Sequence, residues 1–555
     1  MSADHDLRRP LGSRALLRSL ALTTALTAAV LGTVALPGVA AADSAATVTG
    51  ELVHAVAEGE PGAEQDGDGH VSWIATADGE VPVEGEQLSD VPTGAQVEVT
   101  VGEEPAGDGG ESALPVLGSD VKEQPTTPPP PAPAPVAGVT NQVTVVQVAP
   151  AGTSPDSTRL ADVVATVNGP VAAFWAEQTA GAVRLGVTEA RDWVRTAADC
   201  SSPEALWDEV AAAVGFQAGP GKHLLLRLSA ETAGRPDCSY ALAQVGAGTT
   251  SGGRLYVREN LASVIAHELG HNFGLGHSSA TQCDGAVEDR ACRTSGYRDY
   301  YDVMGASWSQ LGSLNAPQAA ALGVLPAAAQ TTVSVGQAAA TVTLAPLGGA
   351  GGVRALRLLD REGAVYWLEY RSATGRDGWL GTRDNVYRLD SGVLLHRGGA
   401  FPDTSLLLDG TPSPAGGWDA DLQAAVPTGR SVSLSGGDFT VTVRSAGAAG
   451  AVVRVVPASK APGRAAAARP ARSGQGTAVA GDAAVPPVDE ATAGTPGFWV
   501  PAIQVPAPRE DVALDPAADT SSSLGGLLLP VAGAAMAAAV LMLVQYLRRG
   551  RRLYR

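Results

Sequence analysis

The segment Val264–Ser279, VIAHELGHNFGLGHSS, carries three of the eight histidines of the chain. If it begins as a helix, His267 and His271 lie one turn apart on the same face, and each can offer one nitrogen to a shared metal ion. Gly274 permits a sharp turn, so that His277 can return to the same point as a third ligand. Three protein ligands with an open position for water are typical of a catalytic zinc site.

Glu268 directly follows the first of these histidines. It therefore borders the metal without having to bind it, in a place where it can hold and deprotonate a metal-bound water. The string HELGHNFGLGH resembles the long zinc signature of the metzincin metallopeptidases. Those enzymes also have a methionine turn beneath the zinc, and Met304 in YDVMGA stands at a suitable distance.

The downstream sequence resembles one branch of the metzincins, the gametolysin-like peptidases. The resemblance rests on DVMG followed by LNAPQAAALGVL, and on VYWLEYRS and GVLLHR further along; FWAEQTAGAVRL and the first β-region are more loosely similar. It covers residues 45–457, although only the zinc motif and the methionine turn are specific. Some metzincins have a tyrosine two residues after the methionine as a further ligand; this chain has Ala306 there, so we assign no such role.

The resemblance implies a zinc endopeptidase with one catalytic ion and a protein or peptide substrate. Zinc would polarise the scissile carbonyl, and Glu268 would act first as general base and then as the acid that protonates the leaving amine. The alternative from another class is a surface adhesion or binding protein with a structural or inactive zinc site. The intact Glu268 speaks against it, since a structural site does not need that residue.

Two further sites can be considered around the zinc motif. The strand formed by Arg254, Leu255, Tyr256 and Val257 is a candidate edge along which a substrate could extend; a plain sheet-edge strand is the alternative. Asp284, Glu288 and Asp289 could bind Ca²⁺, but a solvated acidic loop is favoured because no EF-hand pattern is present.

The four cysteines lie in one central region, and an even number in an exported chain predicts two disulfides. We favour the sequential pairs, Cys200–Cys238 and Cys283–Cys292, among the three pairings that four cysteines allow. A thiolate zinc site is disfavoured because no CxxC spacing occurs.

Both ends of the chain carry targeting signals. Residues 1–42 combine arginines, an apolar run and small residues, which is typical of a secretory signal peptide; a short membrane anchor is the alternative. Residues 524–547 contain no charged residue and are long enough to span a bilayer as a helix, and the arginine-rich tail 548–555 would stay in the cytoplasm. We therefore expect the catalytic part to face outward from the plasma membrane of a Gram-positive-type bacterium.

Composition agrees with a large exported protein. The chain has 555 residues, of which 45% are hydrophobic, and a formal net charge of -19 that argues against nucleic-acid binding. Alternating apolar patterns separated by turn residues predict β-structure at both ends of an α/β catalytic domain, which would contain a twisted mixed sheet and the active-site helix. The predicted units after the signal peptide are a small β domain at 43–118, a Pro-rich linker at 119–138, the catalytic domain at 139–330, a β-sandwich at 331–457 and a stalk at 458–523.

The small β domain could be a propeptide or a permanent accessory domain. Some exported metallopeptidases are silenced by a propeptide cysteine on the zinc, and residues 43–138 contain no cysteine. If this domain inhibits, it must therefore do so by blocking the cleft or through a carboxylate.

Overall fold

The computed structural model describes residues 45–59, 69–103, 113–124, 138–307 and 310–459. The predicted signal peptide, the span at 524–547 and the basic tail lie outside these residues, as do most of the linker and of the stalk. Among the helices of the described ranges, none has the length and apolarity needed to cross a membrane.

Ten strands build the first sheet. Their bounds are β1 Ala46–Glu58, β2 His70–Thr76, β3 Gly79–Val83, β4 Gln96–Val101, β5 Val116–Glu123, β6 Asn141–Ala149, β7 Leu185–Arg195, β8 Lys222–Leu228, β9 Ala241–Gln244 and β10 Gly253–Val257. The order is β3-β2-β1-β9-β10-β8-β6-β7, while β4 pairs with β1 and β5 pairs with β4. Strands β7, β6, β8 and β10 are parallel and β9 is antiparallel, so the sheet is mixed, as the sequence predicts.

Helices cover both faces of the parallel part of this sheet. They are α1 Leu160–Thr166, α2 Ala172–Gln178, α3 Pro203–Val214, α4 Ala262–Asn272 and, further along, α5 Ala316–Ala321; a π-helical turn, Val167–Val171, joins α1 to α2. Side chains of β8 alternate between the faces: Leu225 packs with α1, α2 and α4, whereas Leu224 and Leu226 pack with α3. This double coverage explains the continuous apolar run of β8.

The C-terminal half forms two further sheets. Their strands are β11 Ser278–Cys283, β12 Cys292–Ser295, β13 Gln330–Ser334, β14 Ala340–Leu344, β15 Ala355–Leu359, β16 Val365–Arg371, β17 Gly392–Gly398, β18 Ser405–Leu408, β19 Ser431–Leu434, β20 Phe439–Gly447 and β21 Gly450–Pro457. The orders are β12-β11-β18-β17-β16-β15-β13 and β14-β21-β20-β19. Side chains of both sheets share one buried cluster, which is the arrangement of a β-sandwich.

The second sheet crosses the domain boundary that composition suggests at residue 330. Strands β11 and β12 precede that residue, yet β11 pairs in parallel with β18 from the later region. The segment Ser278–Cys283 reads SSATQC and has little apolar alternation, so its place in a sheet could not be anticipated. The two regions are therefore joined through a common sheet.

Both predicted disulfides are present. Cys200–Cys238 encloses a sequence separation of 38 residues, and Cys283–Cys292 links directly paired residues of β11 and β12. In the chain-entropy view, the longer loop contributes more to stability because its closure removes more freedom from the unfolded chain.

The predicted substrate edge at Arg254–Val257 is wrong. This segment is β10, which is hydrogen-bonded to β8 on one side and to β9 on the other, so it is an interior strand. The four-residue strand β9, ALAQ, was too short to be recognised by pattern, and it covers the edge that β10 was expected to offer.

A buried cluster of charged side chains links β16 to the segment that contains Tyr301. The guanidinium of Arg371 lies 2.7 Å from Glu369 and 3.3 Å from Asp377, and it also donates to the carbonyl of Tyr301. Because all three charged side chains are fully buried, neither carboxylate can be solvated if the cation is removed.

We therefore predict that Arg371→Met lowers the free energy of unfolding by about 3–5 kcal/mol, because it leaves buried carboxylates without a counter-ion. Urea denaturation followed by tryptophan fluorescence measures this change. Arg159→Met is the control, since it removes a solvent-exposed pair with Asp162 and should leave the midpoint unchanged. Equal midpoints for the two variants would contradict the role given to Arg371.

Candidate metal centre

Helix α4 carries the first two histidines and ends where a third ligand needs the chain to turn. Gly274 adopts a left-handed φ of 91°, its N–H donates to the His271 carbonyl, and the N–H of Leu275 donates to the Gly270 carbonyl. This is a Schellman ending, and a Cβ on Gly274 would come within 2.8 Å of a backbone oxygen. The glycine predicted to turn the chain therefore does so.

The three predicted ligands meet at one point together with a residue from β1. The Nε2 atoms of His267, His271 and His277 each lie 3.3 Å from Oε1 of Glu58. These four ligand atoms all lie within 4.8 Å of one another, and they form the one group of possible metal ligands in the described part of the chain. The three imidazoles are at least nine-tenths buried, and the side chain of Glu58 is 11% exposed.

Hydrogen bonds on the far side of two rings orient them toward this point. Nδ1 of His267 donates to the carbonyl of Val303 at 2.8 Å, and Nδ1 of His271 donates to the carbonyl of Leu275 at 2.7 Å. In a neutral imidazole the other nitrogen then carries a lone pair. Both Nε2 atoms therefore present lone pairs to the carboxylate of Glu58.

Such a group of acceptors needs either protons or a cation at its centre. Burial lowers the pKa of His271 to about 4, so protonation of that ring is disfavoured at neutral pH. Burial opposes the charge on His267 too, but the carboxylate of Glu58 outweighs it and raises the pKa of that ring. For Glu58, burial would raise the pKa, whereas the charge of His267 and contacts with the three rings hold it well below its usual value.

The donor set fits zinc. Imidazole nitrogen and carboxylate oxygen are ordinary Zn²⁺ ligands, with bonds of about 2.0–2.2 Å, and the edge of a tetrahedron with such bonds is about 3.3–3.6 Å. The three 3.3 Å distances from Glu58 to the imidazoles match the lower end of that range. His267, His271 and His277 would hold the ion, and Glu58 has the position of a fourth ligand.

Met304, the predicted methionine turn, packs against Gly270 of α4, and its neighbours contact the histidine segment. It is fully buried, its carbonyl accepts a hydrogen bond from the N–H of Ser278, and its own N–H donates to Asp302 at 2.7 Å. The adjacent carbonyl of Val303 is the one that orients His267. The methionine turn therefore holds the first ligand directly and the third through the residue after it.

The C-terminal region also supports the third ligand. The N–H of His277 donates to the carbonyl of Pro402 at 2.6 Å, and the carbonyl of His277 accepts from Ser405. The N–H of Gly276 donates to the hydroxyl of Thr404. His277 is thus held between α4 and β18, which explains how a residue outside the helix reaches a defined position.

Glu268 is buried next in the chain to His267 and does not belong to the group of possible ligands. Its side chain is fully buried, and its two carboxylate oxygens have no hydrogen-bond partner among the described residues. Burial raises the pKa of Glu268 well above its usual value, and the negative charge of Glu58 adds to the shift. A carboxylate in this condition gains from taking up a proton.

The three acidic residues considered for calcium do not meet at a common point. Asp284 accepts from the N–H of Ala415, Glu288 accepts from Tyr366 and Ser435, and Asp289 accepts from the residue that follows it. Their carboxylates are used in separate hydrogen bonds across the C-terminal sheets.

Two residues of the site escaped the sequence analysis. Glu58 ends a strand more than 200 positions before the zinc motif. It is one of several acidic residues in a glycine-rich stretch, so no motif distinguishes it from the others. The rings of Tyr297 and His277 lie 3.9 Å apart, centroid to centroid, at an interplanar angle of 42°. Tyr297 has a left-handed φ of 58°, and its carbonyl accepts from the N–H of Ala306. It is one of three tyrosines in GYRDYY, so composition could not single it out.

Comparison with known families supports a metallopeptidase domain. Residues 237–307 match the model of a family described as metallo-peptidase family M12B, reprolysin-like. This segment contains β9, β10, the zinc motif and Met304, and it supports a zinc metalloprotease for this part of the chain. The gametolysin-like branch stays a prediction. No curated protein matches the chain.

The contact between α4 and the methionine turn generates a prediction. A Cβ on Gly270 would lie 2.3 Å from the sulfur of Met304, so Gly270→Ala must displace the buried side chain of Met304, which belongs to the turn that orients His267. We expect it to lower the free energy of unfolding by about 1–3 kcal/mol and to speed zinc loss to a chelator. The control, Gly169→Ala, changes a helical glycine with open space around it; it should leave the rate of zinc loss unchanged and raise the free energy of unfolding by up to about 1 kcal/mol. Unchanged zinc retention in Gly270→Ala would contradict the packing argument.

Proposed function

We propose that the protein is a zinc-dependent endopeptidase that hydrolyses peptide bonds of extracellular or cell-surface proteins. The observation that carries this proposal is the convergence of three imidazoles, two of them oriented by hydrogen bonds, next in the chain to Glu268, a buried carboxylate that makes no hydrogen bond within the described residues. A purely structural zinc site does not need such a carboxylate, and this favours the enzyme over a surface adhesion protein.

The residues of the chain divide the work of hydrolysis. When bound, zinc would polarise the scissile carbonyl and make the attacking water more acidic. Glu268 takes the proton of that water and later delivers it to the leaving amine, so one carboxyl group serves both halves of the reaction. Burial favours its protonated form between the two transfers. Val303 orients His267, and Met304 holds Ser278, the residue after His277.

A substrate is proposed to extend along β9 and not along β10. The outer edge of β9 is the edge at which β1 pairs in the structure, which indicates that it accepts an extended chain. An extended peptide bound there would add a strand to the sheet through main-chain hydrogen bonds. The edge leads to the metal centre because the pair Glu58–Ala241 ends the ladder at the histidines.

The location of the protein is also a proposal. We infer that the chain is exported and held by one C-terminal span with the catalytic part outside. The two disulfides support an oxidising compartment, and the apolar sequence at 524–547 supports the anchor.

Hydrolysis of casein and of a mixed peptide library by the purified full chain tests the function. The assay uses wild type and Glu58→Ala, because Glu58 lies at the metal point. We expect cleavage that a chelator abolishes and Zn²⁺ restores, and a loss on the order of 10²–10⁴-fold in Glu268→Gln. Gln has nearly the same shape, so zinc content should stay at one ion per chain.

Cleavage that Glu268→Gln leaves intact would refute the assigned base. If every zinc-loaded form is inert on both substrates, the peptidase proposal fails and the adhesion alternative gains.

A further inference from the structure

We propose that the N-terminal β unit, residues 45–124 with strands β1–β5, is a built-in inhibitor that occupies the metal with Glu58 and the substrate edge with β1. The proposal rests on the peptidase function given above. It assigns a role to the one described part outside the catalytic segment that brings a possible ligand atom to the three histidines.

The strand contact resembles a bound peptide in its main-chain bonding. Residues Ala55–Glu58 pair with Ala241–Gln244 in antiparallel register. The N–H of Tyr240 donates to the carbonyl of Glu58 at 2.6 Å, and the N–H of Val245 donates to the carbonyl of His54 at 2.9 Å, which extends the ladder beyond both ends of β9. A substrate that needs the same edge cannot bind while β1 is present.

Strand β1 reaches this edge because it changes partners along its length. Its first half, Ala46–Glu51, pairs with β4 inside the N-terminal unit, whereas its second half lies between β2 and β9. The inhibitory segment is therefore the extension of a strand already fixed in its own sheet. This pre-ordering reduces the entropy lost when the segment occupies the edge.

Side chains hold the unit against the catalytic sheet over a wider area. Val53, Ala55 and Trp73 belong to the same buried cluster as Trp207 of α3. The indole N–H of Trp73 donates to Glu204 at 3.2 Å, and the N–H of Glu204 donates to the carboxylate of Glu80. The contact between the N-terminal β unit and α3 therefore combines buried apolar surface with hydrogen bonds.

The side chain of Glu58 completes the ligand set in a way that blocks catalysis. Its Oε1 is equidistant from the three imidazole Nε2 atoms, at 3.3 Å from each. A zinc ion with four protein ligands is a closed site, whereas a catalytic ion keeps one position for water. With this carboxylate in place the nucleophilic water has no position, and the side chain offers no bond for the enzyme to cleave.

The tether strengthens this inhibition. Inhibitor and active site belong to one chain, so the effective concentration of Glu58 at the metal is in the millimolar range or higher. Removal or separation of the N-terminal β unit is then the activating event, and this unit acts as a propeptide through a carboxylate and not through a cysteine.

Replacement of Glu58 in the full chain tests the proposal, with Glu123→Ala as the matched control. Glu123 lies at the exposed end of β5 in the same unit, so its removal changes charge equally without touching the metal point. Trp73→Ala is a second variant that loosens the interface while keeping the carboxylate. The readouts are peptide cleavage, the visible absorption spectrum of the Co²⁺-substituted protein, and the rate of zinc loss to a chelator.

We expect Glu58→Ala to raise the cleavage rate at least tenfold, to shift the Co²⁺ bands as water replaces a carboxylate, and to release zinc at least tenfold faster. Trp73→Ala should raise cleavage to a smaller extent, and Glu123→Ala should match wild type in all three readouts. If Glu58→Ala fails to fold, activation in Trp73→Ala with a shifted Co²⁺ spectrum supports the proposal, and unchanged values contradict it.

The outcomes separate this proposal from the peptidase function. Equal, measurable cleavage and identical Co²⁺ spectra in wild type and Glu58→Ala overturn the inhibitor while the peptidase stands. A shifted spectrum with no cleavage by any form means that Glu58 is a ligand of a non-catalytic zinc, and it overturns both the peptidase and its inhibition.

Discussion

Three imidazole nitrogens and a carboxylate cannot share a buried point unless protons or a cation lie among them. The backbone carbonyls of Val303 and Leu275 take the Nδ1 protons of His267 and His271, and this fixes which nitrogen faces the centre. Burial at the same place makes protonation of His271 unfavourable. The site is therefore arranged so that a divalent metal is the least costly way to satisfy it, and the surrounding structure serves this constraint.

Two separate parts of the fold hold that arrangement. Helix α4 carries His267 and His271, and it packs on the first sheet through Ile265 and Leu269. The methionine turn is held from the other side, since Asp302 accepts hydrogen bonds from the Met304 N–H and from the hydroxyl of Ser278. Burial raises the pKa of Asp302 to about 7, and the negative charge of the nearby Asp299 adds to the shift, whereas the positive charge of Arg371 opposes it.

The sequence contains the local part of this site and little of the rest. Spacing alone places His267 and His271 on one helical face, and Gly274 marks the turn, because these features depend on neighbours within a few residues. The α/β order of the central region and the β-rich end follow from apolar periodicity in the same way. The match of both cysteine pairs to sequential order reflects their proximity in β11, β12 and around α3.

Long-range pairing explains what pattern could not supply. Glu58 reaches the histidines only because β1 joins the sheet at β9, and a four-residue strand such as β9 leaves no periodic signal. The same short strand turned the expected edge at β10 into an interior position. Residues 278–283 are polar and acquire their strand from β18. In each case the neighbouring strand determines the conformation, and no local sequence pattern identifies which strand that neighbour is.

The parallel pairing of β11 with β18 has a consequence for the order in which the site assembles. The first two ligands need only a local helix, which forms in microseconds or less, whereas His277 is placed by a strand that must find a partner more than 120 positions later in the chain. A nascent chain in which only α4 has formed therefore has two of the three histidines in place and binds a metal ion weakly. Tight binding of the metal ion requires the pairing of β11 with β18, so metal binding is linked to completion of the tertiary structure.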